Sequence, residues 1–342
     1  MIEDQYSTMF GRLNLKVFLI ILIFFPKYLV SSSGDVTKAC DPAGLNEPCN
    51  KNCDKCLPGL ICNEAKICAI AYGTCESHQW LNNIWKPSCE KDGTYSAVQC
   101  KGEYSNGRCF CFSPDGHRIF GWSWWNSAKN MTCACSRRQY EIKKQTLKRE
   151  DVSLHCTQNG NYEELQCDNG LCWCVEPLTG RPTQRAYPES LMTYLPCYNQ
   201  KLSEFQYLRQ CESKLIAIAK IVQKVKHHGH NYYHPDNVLC DDDGSYGPVQ
   251  VDRAGIKCTW KDGKKIFTYL TENVGNIADI NCNCARDSVI YSNENLEFRL
   301  QCNPDGNYKP QQSINGRSFC VDKDGFATSD KLGNIGENLK CT

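Results

Sequence analysis

The chain has 342 residues, enough for two or three ordinary domains, but 26 of them are cysteine. An even count at that density marks a disulfide scaffold of small units, each too small to rest on an apolar core alone. Lys and Arg total 39 against 38 Asp and Glu, so net charge gives no support for a nucleic-acid or anionic-membrane partner.

Residues 1–32 read as a signal peptide. Arg12 and Lys16 precede the apolar run Val17 to Phe25, Pro26 interrupts it, and small residues follow at Ser31 to Ser33. That run is shorter than a membrane span, which argues against an anchor, and Met9 would serve as a start with a compact basic lead. The expected product is secreted, in an oxidising compartment, with no membrane span after signal removal. Residues 40–68 hold six cysteines and form a small cysteine-rich module. Cys53-Asp-Lys-Cys56 has zinc or redox spacing, but in such a chain it reads as part of a structural bridge.

From there one element recurs four times: Cys-x3-Gly-x-Tyr-x3-Gln. It appears as Cys89, Gly93, Tyr95, Gln99; Cys156, Gly160, Tyr162, Gln166; Cys240, Gly244, Tyr246, Gln250; and Cys302, Gly306, Tyr308, Gln312. The internal spacing is constant, and only the connecting loops change length. Each glycine follows Asp or Asn, a turn dipeptide that tolerates positive φ. The segment after the turn, starting near the Tyr, predicts a half-buried strand, and a second strand follows at Cys109-Phe-Cys111 and Cys172-Trp-Cys174. Each unit reads as a turn, a short hairpin and a long closing loop.

Gln166-Cys167 followed by Cys172-Trp-Cys174-Val175 resembles the core of the thyroglobulin type-1 repeat, and Gln99-Cys100 with Cys109-Phe-Cys111 is a close variant. The resemblance implies tandem disulfide-rich modules with short hairpins and little helix: repeats at 75–133 and 135–197, and degenerate repeats at 204–282 and 284–341. It also implies the pairing, Cys75–Cys89, Cys100–Cys109 and Cys111–Cys133, then Cys135–Cys156, Cys167–Cys172 and Cys174–Cys197. In the degenerate copies Val251 and Ile256, then Ser313 and Ser318, stand where the third and fourth cysteines would be. Losing both of one pair strands no thiol. Cys211–Cys240, Cys258–Cys282, Cys284–Cys302 and Cys320–Cys341 are then expected to remain.

Other features have plainer readings. Trp122, Trp124 and Trp125 are core or an interface patch. Asn130-Met131-Thr132 is a glycosylation sequon, so Asn130 is expected at the surface. Arg137, Arg138, Lys143, Lys144, Lys148 and Arg149 predict the exposed face of a short helix, moderated by Glu141, Glu150 and Asp151. Apolar residues at 205, 208, 215, 218, 219, 222 and 225, with Cys211 in the stripe, predict an amphipathic helix packed on its own repeat. His227, His228, His230 and His234 read as a solvated loop, since no cysteine is left to complete a metal site.

No catalytic, cofactor or metal constellation is expected, and no thiol remains to act as a nucleophile. By resemblance to thyropins, the expected function is inhibition of papain-like cysteine proteases by a wedge of loops. The candidate contact residues are Gln99 in repeat one and Gln166, Asp168, Asn169 and Gly170 in repeat two. The alternative is a non-inhibitory extracellular matrix or growth-factor-binding protein whose partner is another extracellular protein.

Overall fold

Three-stranded antiparallel meanders recur four times in the computed structural model, which describes residues 42–49, 55–81, 83–145, 154–203, 206–232, 237–271, 279–296, 299–314, 316–328, 332–334 and 339–341. The expected signal peptide, Cys40, Cys53, Phe205, His234 and Lys148 to Asp151 lie outside these residues. The described part belongs to the unit Pro42–Thr342. It opens with the pair β1 (Leu60–Cys62) and β2 (Cys68–Ile70), held by Cys49–Cys62 and Cys56–Cys68.

Repeat one carries β3 (Val98–Lys101), β4 (Arg108–Phe112) and β5 (Arg118–Trp124). Repeat two begins with helix α1 (Ala134–Lys144) and carries β6 (Leu165–Asp168), β7 (Leu171–Cys174) and β8 (Tyr187–Pro188). After the short α2 (Gln200–Ser203), repeat three has α3 (Gln210–His227), β9 (Val249–Asp252), β10 (Gly255–Thr259) and β11 (Lys265–Thr271). Repeat four has α4 (Asn283–Asn293), β12 (Gln311–Ile314), β13 (Arg317–Cys320) and β14 (Gly333–Asn334). The middle strand of each meander is β4, β7, β10 and β13 in turn. Strand structure begins three residues beyond each motif Tyr rather than at it. The Tyr itself makes an isolated bridge to the motif Cys, as in Cys89–Tyr95.

The recurring motif has one physical role in all four places. Gln99 Nε2 donates to the carbonyls of Ser88 (2.7 Å) and Ser96 (3.0 Å), and its Oε1 accepts from Ser88 N at 2.8 Å. Gln166 repeats these bonds on His155 and Glu163, Gln250 on Leu239 and Gly247, and Gln312 on Gln301 and Lys309. An amide is the side chain suited to this, because it offers a donor and an acceptor to the N–H and C=O of one residue. The Tyr ring lies against the later turn; a Cβ on Gly116 would stand 2.6 Å from Tyr95 Cε2, so that turn admits only glycine beside the ring.

Repeats one and two join as repeats three and four do. Cys133 and Cys282 both take the left-handed conformation just before a helix, at φ 58° and 54°. Two residues past the second cysteine of each Cys-x-Cys, Arg137 and Arg286 reach back to two carbonyls of the preceding repeat, Tyr95 and Phe112 or Tyr246 and Thr259. Arg137 is therefore half-buried, not part of an exposed basic face.

The helix after Cys211 also departs from expectation. Only Cys211 and Glu212 of α3 are fully buried; Ile218, Ala219, Val222 and Val225 of its stripe are half-buried and Leu215 is exposed, so the stripe is only partly covered.

Candidate functional site

The hairpin of repeat two is the most defined exposed edge. Asn169 and Gly170, both at positive φ (55° and 77°), make the two-residue connection between β6 and β7. Two left-handed residues suit a type I′ turn, whose twist matches the strands, and Asn-Gly is its preferred pair. Directly behind the tip, Cys167 opposes Cys172 with Cα atoms 4.0 Å apart, and the two are bridged. On the other side Leu171 pairs with Pro188, and Glu189 N donates to Gly170 O at 2.8 Å. Leu171 is 46% exposed, and Leu191 and Tyr194 (84%) of the adjoining turn are exposed as well.

Beneath this edge lies a core of Leu165, the Cys167–Cys172 bridge, Met192, Leu195 and Tyr207. Tyr207 comes from repeat three. It stacks on buried His155 at a centroid distance of 4.0 Å, and His155 Nε2 lies 2.9 Å from Glu212 Oε2. Arg209 grips Glu163 with both bonds at 2.7 Å. The base of the hairpin is thus held by the next repeat.

The hairpin of repeat one is longer and differently placed. Its bridge is Cys100–Cys109, with Cα atoms 3.9 Å apart, and its tip at residues 102–105 is exposed. Its flanks are not free. Arg108 is fully buried and donates to Asp287 Oδ1 at 2.7 Å. Lys101 Nζ donates to the carbonyls of Asp324 (3.0 Å) and Gly325 (2.8 Å) and sits over the Phe326 ring. Phe326 enters the aromatic core of Phe110, Phe112 and Trp85. Trp122 and Trp124 belong to this junction too: Trp122 faces the Arg108 guanidinium, and Trp124 contacts Tyr291. Burial alone would raise the Asp287 carboxyl, but the charges of Arg108 and Arg118 outweigh it and hold it far below the ordinary carboxylate range. Burial pushes Lys101 down to about 7.

In repeats three and four the cross-strand positions are occupied by other pairs. Val251 opposes Ile256, and Ser313 opposes Ser318 with hydroxyls 2.8 Å apart. The other bridges among the described residues are Cys75–Cys89, Cys111–Cys133, Cys135–Cys156, Cys174–Cys197, Cys211–Cys240, Cys258–Cys282, Cys284–Cys302 and Cys320–Cys341.

Of the candidate contact residues, Asp168, Asn169 and Gly170 cluster at the repeat-two tip. Gln99 and Gln166 do not belong with them: both are buried, with their amides spent on backbone, so they shape the hairpin from inside. Leu171 was missed because one apolar residue at a turn carries no periodic signal. Asn130 is exposed, while Thr132 Oγ1 donates to Asn161 Oδ1 at 2.8 Å. Among the described residues the sulfur cluster Cys49, Cys56 and Cys68 has metal-like spacing, but all three are consumed in bridges. A cavity of about 530 Å³ lies between the four repeats, and several of its charged wall residues pair with one another, as in Lys143–Asp242 and Arg286–Asp241. No described helix is long and apolar enough to cross a membrane.

Comparison with known proteins agrees with this architecture. The thyroglobulin type-1 repeat family matches residues 69–133 and 133–189. Bovine thyroglobulin is 26% identical over 173 residues, covering 48% of this chain and 6% of thyroglobulin. Equistatin of Actinia equina is 31% identical over 99 residues, 26% of this chain and 40% of equistatin. U20-hexatoxin-Hi1a of Hadronyche infensa is 26% identical over 99 residues, 28% of this chain and 63% of the toxin. The chain spans less than two thirds of each of these relatives.

Proposed function

Because residues 69–189 are two thyroglobulin type-1 repeats, we propose that this protein is a secreted inhibitor of papain-like cysteine proteases that inserts the repeat-two hairpin into the active-site cleft. The observation that carries this reading is the Asp168–Leu171 edge: a two-residue turn clamped by Cys167–Cys172 on one side and by β8 on the other. A wedge already held in its bound shape loses little conformational entropy on docking. Binding of this kind needs no catalytic residue or cofactor in the inhibitor.

Repeats three and four are, in this reading, two further degenerate copies, since each reproduces the glutamine lock and the three-stranded meander. Repeat one presents only its tip, because repeat four covers its flanks. Cutting the chain at residue 198 would expose buried Arg108 and Asp287, so the test uses the full chain. Leu171→Glu should weaken inhibition of papain by roughly 30-fold, the effect of losing an anchor of about 2 kcal/mol. Tyr104→Ala, at the repeat-one tip, should change it little. If the two variants behave in the opposite way, the assigned edge is wrong. If the native chain inhibits no papain-like enzyme, it is an extracellular binding protein instead.

A further inference from the structure

We propose that the fold singles out Asn169, at the repeat-two tip, as a site of spontaneous deamidation that leaves aspartate or isoaspartate in the turn. Asn-Gly pairs begin at residues 106, 159, 169 and 315. The reaction needs a free glycine N–H, a free side-chain amide and a peptide between them that can rotate. The described pairs meet these conditions unequally.

In repeat one Gly107 is buried; its N–H donates to Glu103 O at 2.5 Å and its carbonyl accepts from Trp125 N at 2.9 Å. Gly160 is also buried, and its N–H donates to Thr157 O at 2.8 Å. Beside it, Asn159 Oδ1 accepts from Thr157 Oγ1 at 2.6 Å and from Asn161 N at 3.2 Å. Asn315 lies outside the described residues. Asn169 and Gly170 are both exposed. Among the described residues, the Asn169 side chain, the Asn169 carbonyl and the Gly170 N–H have no hydrogen-bond partner. A Cβ built on Gly170 would meet nothing within 4 Å.

The Asn169–Gly170 peptide can therefore rotate without breaking a hydrogen bond. Rotation converts the type I′ turn to type II′, the other two-residue turn that suits a hairpin, and carries Asn169 ψ from about +30° to about −120°. Gly170 N then comes round to Asn169 Cγ. The nitrogen attacks, the Cγ–Nδ2 bond breaks, and ammonia leaves with the Gly170 proton. Water opens the resulting five-membered imide at either carbonyl. Both products add a negative charge, and isoaspartate also inserts a methylene carbon into the main chain, between strands whose register Cys167–Cys172 holds. Its consequence for inhibition rests on the protease reading; the modification itself does not.

The test is a peptide map of the full-length protein held at mildly alkaline pH, with a protein-isoaspartate methyltransferase reporting the isoaspartate. Conversion at Asn169, a mass gain of about 1 Da, should run roughly ten-fold ahead of Asn106 and Asn159, the ratio that about 1.4 kcal/mol of local opening at those two gives. In urea with the bridges reduced, the three should convert at similar rates. Conversion at Asn106 or Asn159 as fast as at Asn169 in the folded protein would overturn the proposal. So would no conversion at Asn169 over the time the unfolded chain takes to convert. The same order of rates folded and unfolded would also overturn it, because neighbouring residues rather than the fold would then select the site.

Discussion

Arg108 of repeat one and Asp287 of repeat four, separated by 179 positions in sequence, meet at 2.7 Å with both side chains buried. Arg118 joins the same carboxylate at 3.0 Å, and Tyr308 donates to its other oxygen at 2.6 Å. The guanidinium of Arg108 lies 4.0 Å from the Trp122 ring centroid. This group ties the last repeat back onto the first and sets how much of the repeat-one hairpin remains accessible.

Asp287→Asn should therefore be strongly destabilising. Removing one partner of a buried ion pair leaves an uncompensated charge and costs about 3–5 kcal/mol. Because Arg108 and Arg118 hold the carboxyl low, its contribution is complete above about pH 4, the ordinary carboxylate value, and is lost as pH falls below it. Urea unfolding with intact disulfides measures the loss, and hydrogen exchange across Lys101–Phe112 should rise. An unchanged midpoint would show that the ion pair does not hold the junction.

Lys101 gives an opposite pH signature. Its folded pKa, pushed down by burial to about 7, lies below the ordinary lysine value. Between those values the unfolded chain binds a proton that the folded chain does not. Stability should rise with pH across that window, by up to about 1.4 kcal/mol per unit. Lys101→Met should flatten this component; identical slopes for the two proteins from pH 7 to 9 would rule it out.

The bridge behind the repeat-two tip should be replaceable only as a pair. Cys167→Val with Cys172→Ile copies the Val251–Ile256 pair that occupies the same register in repeat three. Loss of so short a loop closure should cost about 2 kcal/mol. Cys167→Ser alone leaves a thiol free to mispair, so its yield of folded protein should fall below that of the double variant. Equal yields would remove the argument.

Gln166→Leu should cost more than its size suggests. It leaves His155 N and Glu163 O without partners in a buried place, at about 1–3 kcal/mol for each unsatisfied group, and takes from His155 O one of its two donors, the other being Glu163 N. The thermal midpoint should drop, and inhibition should weaken only as the hairpin loosens. A variant with native stability and lost inhibition would instead put Gln166 in contact with the enzyme.

The sequence by itself determined what is local. Constant spacing from Cys to Gln marks the turn and the following strand, because both form within one repeat; that the Gln locks backbone rather than facing a partner was shown only by its burial. Asn169-Gly170 is as local a signal, a dipeptide suited to a two-residue hairpin turn, although the sequence placed these residues only as contact candidates. The paired replacements Val251–Ile256 and Ser313–Ser318 were legible because directly opposed strand positions must change together. What only the tertiary structure decided was how repeats meet. Arg108, Lys101, Asp287 and Phe326 carry no pattern of their own, and a lone charge beside a cysteine reads the same whether it faces water or a repeat more than 170 positions away. The same limit governs α3. Periodicity shows that it has an apolar face, but how far that face is covered depends on the tertiary packing around it, which leaves most of the stripe half-buried and Leu215 exposed.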